Sequence, residues 1–321
     1  MKKKILHLEI SKYSKTDIEE LKNNFDVIFL NTNSQAEFKN IITQNNFFGI
    51  FTKLGLEINK EILCMQPHLK YIITPTTGLN HIDIDHAEKN GITVISLKGE
   101  EEFLKTIRST AEHTWAILLM LIRNLDLAFS DVKNGFWRRE PFLAEELDDK
   151  IIGIIGMGRL GKMIVNYAEV FNMKVMAYDI NPKVFKNSKV SFTPLNLLLS
   201  KCDILSIHIP SNKNNYNFID SEKISLLKKE ALIINTSRGE IIDEDALLQA
   251  LVNKEISGAA IDVLQGDSSW GELSPKQNNL ISYSKNNDNL IITPHMGGYG
   301  KTSILRTREF ITKKFFKVLK K

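Results

Sequence analysis

Residues 150–161 read KIIGIIGMGRLG, an apolar run followed by glycines at Gly156, Gly158 and Gly161. The run predicts a buried strand, and residues 160–171 predict the helix that follows it. In such a unit the first glycine permits the tight turn, the second lets a pyrophosphate approach the backbone, and the third lets helix and strand pack closely. A glycine turn by itself need bind nothing, so the interpretation depends on the residues that follow.

An acid stands where a dinucleotide site requires one. The next predicted strand, 174–179, ends in Asp179, eighteen residues after Gly161. A carboxylate at this position can accept hydrogen bonds from both ribose hydroxyls and repels a 2'-phosphate. The helix start adds N–H donors and a positive dipole for the phosphates. The sequence therefore predicts a dinucleotide site that prefers NAD over NADP.

Short apolar runs alternate with amphipathic segments along the chain, a pattern that predicts an α/β fold of parallel sheets covered by helices. Two doubly wound, Rossmann-like units are expected. The predicted strands of the first unit are 4–10, 26–30, 49–52, 71–74 and 93–95. The six predicted strands of the second unit are 151–155, 174–179, 203–207, 231–235, 258–262 and 290–293.

Two connecting segments have distinct sequence signals. Ser109 and Glu112 form the pattern of a capping box, which predicts the start of an apolar helix that continues to about Ala128. The Asn- and Ser-rich segment 266–288 predicts a long surface loop.

Composition excludes several classes of protein. The 321 residues predict about two domains, and a net charge of +4, with basic residues spread among acidic ones, gives little support to nucleic-acid binding. The longest apolar run, 115–122, has eight residues and is too short to cross a membrane. We find no secretory signal and expect a cytoplasmic protein. Cys64 and Cys202 are far apart and lack metal-ligand spacing, so we expect buried thiols and neither a disulfide nor a metal site.

Three polar side chains follow predicted strands of the second unit. Arg238 lies in NTSRGE (235–240), Asp267 ends AAIDVLQGD (259–267), and His295 lies in TPHMGG (293–298). An open α/β sheet places its ligands at the carboxyl ends of its strands, so one cleft could hold all three. Together they supply a forked cation for a carboxylate or carbonyl, a proton carrier and an acid that orients it. Beside a nicotinamide, this set suits hydride transfer to a 2-keto acid.

These segments, with TTGLNHID (76–83) and RSTAEH (108–113), resemble the D-isomer-specific 2-hydroxyacid dehydrogenase family in order and spacing. The resemblance implies a dinucleotide domain at 103–295, inserted into a flavodoxin-like substrate domain made of 1–102 and 296–321. It also implies a homodimer, formed through the long helix and the segment 134–138, although the aromatic pair in that segment could equally pack internally.

The resemblance also assigns roles to residues. It implies that Arg238 binds the substrate carboxylate and that His295 donates the proton while paired with Asp267. Backbone N–H groups of Thr77 and Gly78 would hold the same carboxylate, and Lys53 would be either a second cation for the substrate or a solvated surface lysine. The implied NAD contacts are Gly156, Gly158, Arg159, Leu160, Gly161, Asp179, Ile209, Thr236, Ser237, Asp262, Gly297 and Gly298.

The chain departs from the family pattern in places. The family usually has Glu followed by Pro where this chain has Asp267 and Ser268, so pairing with His295 is expected to be longer or to need a shifted loop. Thr74 stands where phosphoglycerate enzymes tend to carry Arg, which disfavours a phosphorylated substrate. Trp270 could line the substrate pocket or anchor its loop.

Two other functions are compatible with a dinucleotide fold. An NADH-sensing, corepressor-like binding protein would bind the nucleotide with little turnover, and it has no need of a proton carrier paired with an acid. A formate dehydrogenase would usually have Gln in place of the acid. Asp267 and His295 together therefore favour the 2-hydroxyacid dehydrogenase.

Overall fold

The computed structural model describes residues 2–181, 189–267 and 278–320. Within them the chain forms two units. Unit 1 comprises 2–107 and 300–320, and unit 2 comprises 108–181, 189–267 and 278–299. The predicted domain borders lie a few residues earlier, after 102 and after 295, and the substrate and dinucleotide roles of the domains stay predictions.

Unit 1 is built around a parallel sheet of order β2-β1-β3-β4-β5. This is the flavodoxin-like order of a doubly wound fold. Its strands are β1 (Lys4–His7), β2 (Asp26–Phe29), β3 (Gly49–Phe51), β4 (Tyr71–Ile73) and β5 (Thr93–Ile95). Its helices are α1 (Lys15–Asn24), α2 (Gln35–Gln44), α3 (Lys60–Cys64), α4 (Ile84–Lys89), α5 (Glu101–Leu104) and α13 (Lys301–Leu319).

Unit 2 is built around a second parallel sheet, of order β12-β11-β10-β9-β6-β7-β8. The predicted α/β class is confirmed. Its strands are β6 (Ile151–Ile155), β7 (Lys174–Tyr178), β8 (Val190–Phe192), β9 (Ile204–Ile207), β10 (Leu232–Asn235), β11 (Gly258–Ile261) and β12 (Leu290–Ile292). Its helices are α6 (Ser109–Ile122), α7 (Leu125–Lys133), α8 (Arg159–Val170), α9 (Leu195–Lys201), α10 (Ser221–Ser225), α11 (Glu244–Val252) and α12 (Asn279–Ser284).

Two elements of unit 2 differ from the sequence-based expectation. The edge strand β8 has three residues and lacks the apolar run of a buried strand. The helix α12 lies inside the predicted loop 266–288, and the side chain of Asn278 caps it by accepting a hydrogen bond from Ile281 N–H. Trp270 and Ser268 lie outside the described residues.

The long helix predicted from Ser109 to Ala128 is wrong in two respects. It breaks into α6 and α7 at Asn124, whose left-handed backbone (φ 49°) cannot continue a helix. The capping box is also not formed, because Ser109 lies inside α6 and its hydroxyl donates instead to the carbonyl of Gly297 at 2.7 Å. A tertiary hydrogen bond has replaced the local one.

Each unit has its own apolar core. In unit 2, α6 buries Trp115 and Leu118 against the sheet residues Ile154 and Ile234. Cys202 is buried as expected, whereas Cys64 is exposed, contrary to expectation. None of the helices in the described ranges combines the length and the apolar character that a membrane span needs.

The C-terminal helix α13 closes the core of unit 1, as its apolar spacing predicts. Phe315 is fully buried, with its ring centroid 5.3 Å from that of Phe51 and 5.6 Å from that of Tyr71. Leu305 of the same helix is 45% exposed.

We predict that Phe315→Ala lowers the stability of unit 1 by about 3–5 kcal/mol, because loss of the buried ring leaves a cavity against the sheet. Peptide-resolved hydrogen exchange of β1 and β3 measures this loss in unit 1 alone. Leu305→Ala is the matched control and is expected to cost under about 1 kcal/mol. Equal effects of the two substitutions would contradict the packing described.

Candidate active site

The glycine turn that follows β6 is fixed by close packing. Gly156 has φ 95°, and a Cβ atom there would lie 2.7 Å from the carbonyl oxygen of His208. A Cβ on Gly161 would lie 2.1 Å from the carbonyl oxygen of Gly156. Gly158 is different, because a Cβ there would meet nothing within 4 Å. The first and third glycines are therefore required by the fold, while the second leaves open space at the start of α8.

This open space fits a dinucleotide phosphate. Gly158 is the N-cap of α8 and has no side chain with which to cap it, so the helix presents its positive end there. Arg159 and Leu160 form the first turn, and burial lowers the pKa of Arg159. Ile209 lines the other side of the turn, where its Cγ2 would lie 2.8 Å from a Cβ atom on Gly156.

Asp179 is held beside the same turn. Its Oδ2 accepts a hydrogen bond from Met157 N–H at 2.7 Å, and its Oδ1 accepts one from Asn181 N–H at 2.8 Å. Each carboxylate oxygen has a further lone pair. The acid is thus positioned by backbone groups and can still receive the hydroxyls of a ribose.

The loop that follows β10 carries Thr236, Ser237 and Arg238, and its own side chains stiffen it. Asn235 Oδ1 accepts from both the backbone N–H (3.0 Å) and the hydroxyl (2.7 Å) of Ser237, while Asn235 Nδ2 donates to the Arg238 carbonyl at 2.9 Å. Thr236 shares a 2.7 Å hydrogen bond with Thr114 of α6. The guanidinium of Arg238 donates to the Ser237 carbonyl at 2.6 Å.

His295 and Asp267 are hydrogen-bonded to each other. The distance between His295 Nδ1 and Asp267 Oδ2 is 2.9 Å, and both side chains are largely buried. Of the two expected alternatives, the longer contact is wrong, because the shorter acid reaches the ring directly, and the shifted loop stays a prediction. Because a carboxylate only accepts, Nδ1 carries the proton of this hydrogen bond and Nε2 lies on the opposite edge of the ring.

The backbone around His295 is held in a conformation that residues with a side chain rarely adopt. Its φ is 51°, in the left-handed region. Its N–H donates to two carbonyl oxygens, those of Asp262 at 2.8 Å and Thr293 at 2.9 Å. These two hydrogen bonds fix the position from which the imidazole projects.

Asp262 connects this loop to α6. Its buried carboxylate accepts from Met296 N–H at 2.9 Å, from Gly297 N–H at 2.7 Å and from the hydroxyl of Thr293. His113 Nε2 lies 3.1 Å from the same carboxylate. Burial alone raises the pKa of Asp262, but the hydrogen bonds from His113, Thr293 and the backbone outweigh it and lower the pKa. The carboxylate is therefore kept ionised.

His113 has a structural role, in which it is paired with an acid distant in sequence. No local pattern links it to Asp262, which lies 149 residues away. Gly297 is buried beneath the same carboxylate, whereas Gly298 is exposed with open space around it.

The expected substrate-binding residues lie in unit 1. Thr77 is exposed, and the hydroxyl of Thr76 donates to the Gly78 carbonyl at 2.8 Å. Lys53 is buried, and its ammonium donates to Asn33 Oδ1 at 2.7 Å. Burial lowers the pKa of Lys53. The solvated-lysine alternative is wrong, and the substrate role of these residues stays a prediction.

His208 makes stability depend on pH. Burial lowers the pKa of His208 from 6.5 to about 4, while its Nε2 shares a 2.8 Å hydrogen bond with Ser206. An unfolded chain binds a proton at pH 6.5, but the folded chain binds it only near pH 4. Stability contributed by the neutral ring is therefore complete above pH 6.5 and falls as the pH drops towards 4.

We predict that His208→Gln reduces the fall of the free energy of unfolding with decreasing pH. For one such group this fall is about 1.4 kcal/mol per pH unit. Urea unfolding of both proteins between pH 7 and pH 4.5 measures the difference in slope. His68 is exposed, so His68→Gln serves as the control and is expected to keep the native slope. A native slope in the His208 variant would contradict the prediction.

The chain is similar to known proteins over most of its length. Residues 115–297 match the model of the D-isomer specific 2-hydroxyacid dehydrogenase NAD-binding domain. The glyoxylate reductase of Thermofilum pendens is 33% identical over 82% of this chain and 76% of its own length. The D-3-phosphoglycerate dehydrogenase of Methanocaldococcus jannaschii is 31% identical over 84% of this chain, which spans about half (49%) of that relative.

The chain is also similar to a solved structure over nearly its whole length. The D-lactate dehydrogenase of Aquifex aeolicus, complexed with NAD and lactic acid, superposes with a TM-score of 0.81 and 30% identity, covering 99% of this chain and 95% of that one. The glycine turn, the acid after β7 and the matched domain model agree on NAD as the cofactor. The chain belongs to the D-isomer-specific 2-hydroxyacid dehydrogenase family.

Proposed function

We propose that the protein is an NAD-dependent oxidoreductase that interconverts a 2-keto acid and a D-2-hydroxy acid. The 2.9 Å hydrogen bond between His295 Nδ1 and Asp267 Oδ2 carries the proposal. Arg238, Asp267 and His295 follow β10, β11 and β12, which are neighbours in the sheet. Neighbouring parallel strands end at one edge of the sheet, so the loops that carry these three side chains leave the sheet at the same edge.

His295 is the proposed acid and base. Asp267 accepts from Nδ1 and stabilises the imidazolium, so Nε2 can deliver a proton to the oxygen that becomes the hydroxyl of the product. In the oxidative direction the neutral ring takes the same proton back. When bound, NADH supplies the hydride for the carbonyl carbon.

Arg238 is proposed to bind the substrate carboxylate. A guanidinium has five N–H donors in a planar fork, and the bond to the Ser237 carbonyl uses one of them. That bond restrains the side chain, so the remaining donors are presented with less loss of entropy on binding.

The proposed substrate is a small acid without a phosphate. Thr74 is fully buried and shares hydrogen bonds with Thr76 Oγ1 (2.9 Å) and His81 Nε2 (3.3 Å). Its hydroxyl is thus engaged within unit 1, and it offers no cation at the position where phosphoglycerate enzymes tend to have one. A cytoplasmic location, without nucleic-acid or membrane partners, stays a prediction.

The competing function is an NADH-sensing binding protein. A sensor must bind nucleotide, and the glycine turn with Asp179 suffices for that. It gains nothing from an imidazole whose proton is oriented by a buried acid. The hydrogen-bonded pair therefore favours the enzyme.

We predict that the purified protein oxidises NADH in the presence of a small 2-keto acid, and that His295→Gln lowers kcat about 10²- to 10⁴-fold. The expected loss follows from removal of the proton donor, while NADH affinity, measured by fluorescence titration, stays within about threefold. His68→Gln is the matched control and keeps the native kcat. Nucleotide binding with no turnover of any 2-keto acid would contradict the proposal and favour the sensor.

The proposal includes a homodimer. Trp137 is 91% exposed and Leu143 90% exposed, with Phe129 and Phe136 more than half exposed nearby in sequence. Arg138 makes two hydrogen bonds to Asp131 and lies 4.5 Å from the centre of the Phe136 ring, so the segment is held in place despite its exposure. An ordered, exposed apolar segment of this kind is typical of a protein interface.

We predict that Trp137→Glu combined with Leu143→Lys converts the dimer into a monomer, because burying two charges opposes association. Light scattering after size exclusion gives the mass. Val170, 83% exposed on α8, provides the control Val170→Glu, which is expected to remain dimeric. A native protein that is monomeric at micromolar concentration would contradict the dimer.

A further inference from the structure

The turn that carries Asp267 accepts support from a second acid, Glu244, which binds its backbone. We infer that Glu244, the first residue of α11, is a positioning residue that sets Asp267 against His295. The inference rests on the proposed function, in which this pair transfers the proton, and it concerns how a side chain one methylene shorter than Glu reaches the imidazole.

Glu244 binds the backbone just before the catalytic acid. Its Oε1 accepts from Gln265 N–H at 2.6 Å, two residues before Asp267. Its Oε2 accepts from the Asn278 side chain at 3.1 Å. One half-buried carboxylate therefore connects α11, the turn of Asp267 and the start of α12.

The turn itself is tight. Leu264 N–H donates to Asp267 Oδ2 at 3.2 Å, and Asp267 N–H donates to the Leu264 carbonyl at 3.2 Å. The oxygen that faces His295 is thus also bound to the start of the turn. Gln265 lies between Leu264 and Asp267, so a shift of Gln265 displaces both of these residues.

The side chain of Gln265 anchors the turn to neighbouring residues through two hydrogen bonds. Its Nε2 donates to Asn217 Oδ1 at 2.9 Å and to the Ile242 carbonyl at 2.8 Å. Gly266 has φ 73°, and its N–H donates to Glu240 Oε1 at 3.4 Å. These contacts restrain the turn, and the hydrogen bond from Gln265 N–H to Glu244 fixes the peptide plane of Gln265.

The turn also packs against the loop of Arg238. A Cβ atom on Gly239 would lie 2.0 Å from the carbonyl carbon of Leu264, so the two backbones are in direct contact. A change in the turn therefore moves Asp267 relative to both Arg238 and His295.

This role requires a hydrogen-bond acceptor at position 244. Burial raises the pKa of Glu244, although the hydrogen bonds from Gln265 N–H and the Asn278 side chain lower it. Glu244→Gln keeps an oxygen that can accept from Gln265 N–H, and it is expected to fold as well as the native protein at neutral pH.

The first test is a double-mutant cycle between positions 244 and 267. We expect Glu244→Ala to lower kcat for 2-keto acid reduction about tenfold, because a displacement of about 1 Å at a catalytic group can cost up to 10²-fold. The KM for NADH is expected to stay within about twofold, and Glu244→Gln to retain kcat within about threefold. In an Asp267→Asn background, Glu244→Ala is expected to change kcat by less than about twofold, since its effect acts through Asp267.

Asp245→Ala, at an exposed position of the same helical turn, is the matched control and is expected to keep the native kcat. An equal loss from Glu244→Ala in both backgrounds would show a general structural effect and overturn the inference. A native kcat in Glu244→Ala would overturn it as well.

The second test does not depend on turnover. Crystal structures of the Glu244→Ala and Glu244→Gln proteins report the distance from His295 Nδ1 to residue 267. We expect it to exceed about 3.5 Å, beyond a hydrogen bond, in the Ala variant and to stay near the native value in the Gln variant. An unchanged distance in the Ala variant overturns the inference. If the native protein reduces no 2-keto acid but the distance responds as described, the proposed function fails while the positioning by Glu244 stands.

Discussion

The parallel pairing of β10, β11 and β12 is the constraint on which the rest of the site depends. Hydrogen bonds between these strands set their register, so all three end at the same edge of the sheet. The loops that leave this edge carry Arg238, Asp267 and His295. Asp267, 28 residues from His295 along the chain, is thereby hydrogen-bonded to its imidazole, and Arg238 lies on a loop that leaves the same edge of the sheet.

Backbone hydrogen bonds then fix the conformation of the loop that carries His295. His295 adopts a left-handed conformation that costs free energy for a residue with a side chain, and the two carbonyls that receive its N–H compensate for it. Asp262 binds the following N–H groups, and His113 ties that carboxylate to α6. These groups do not touch the imidazole, and they add to the direct hydrogen bond between His295 Nδ1 and Asp267.

Much of this arrangement could be predicted from the sequence, because it depends on short spacings. The glycine turn and Asp179 lie within one strand–helix–strand unit, and the strand ends can be read from apolar runs followed by polar residues. The order of β10 to β12 follows from the doubly wound pattern. The C-terminal helix and its buried Phe315 follow from helical periodicity.

Other features depend on contacts that no local pattern encodes. Ser109 looks like a helix cap but bonds to Gly297, and His113 finds Asp262 only through the tertiary fold. The burial of Lys53 and the short edge strand β8 are set by neighbours distant in sequence. Glu244 resembles any acid in the first turn of a helix, and its bond to Gln265 becomes visible only in the structure.

The most direct test of the account follows the hydride and the configuration of the product. A small 2-keto acid is reduced with NADH that carries deuterium at both C4 positions, and the hydroxy acid is examined by chiral chromatography and mass spectrometry. The account predicts the D isomer with deuterium on the carbon that bears the hydroxyl. The L isomer, or a product without deuterium, would contradict it.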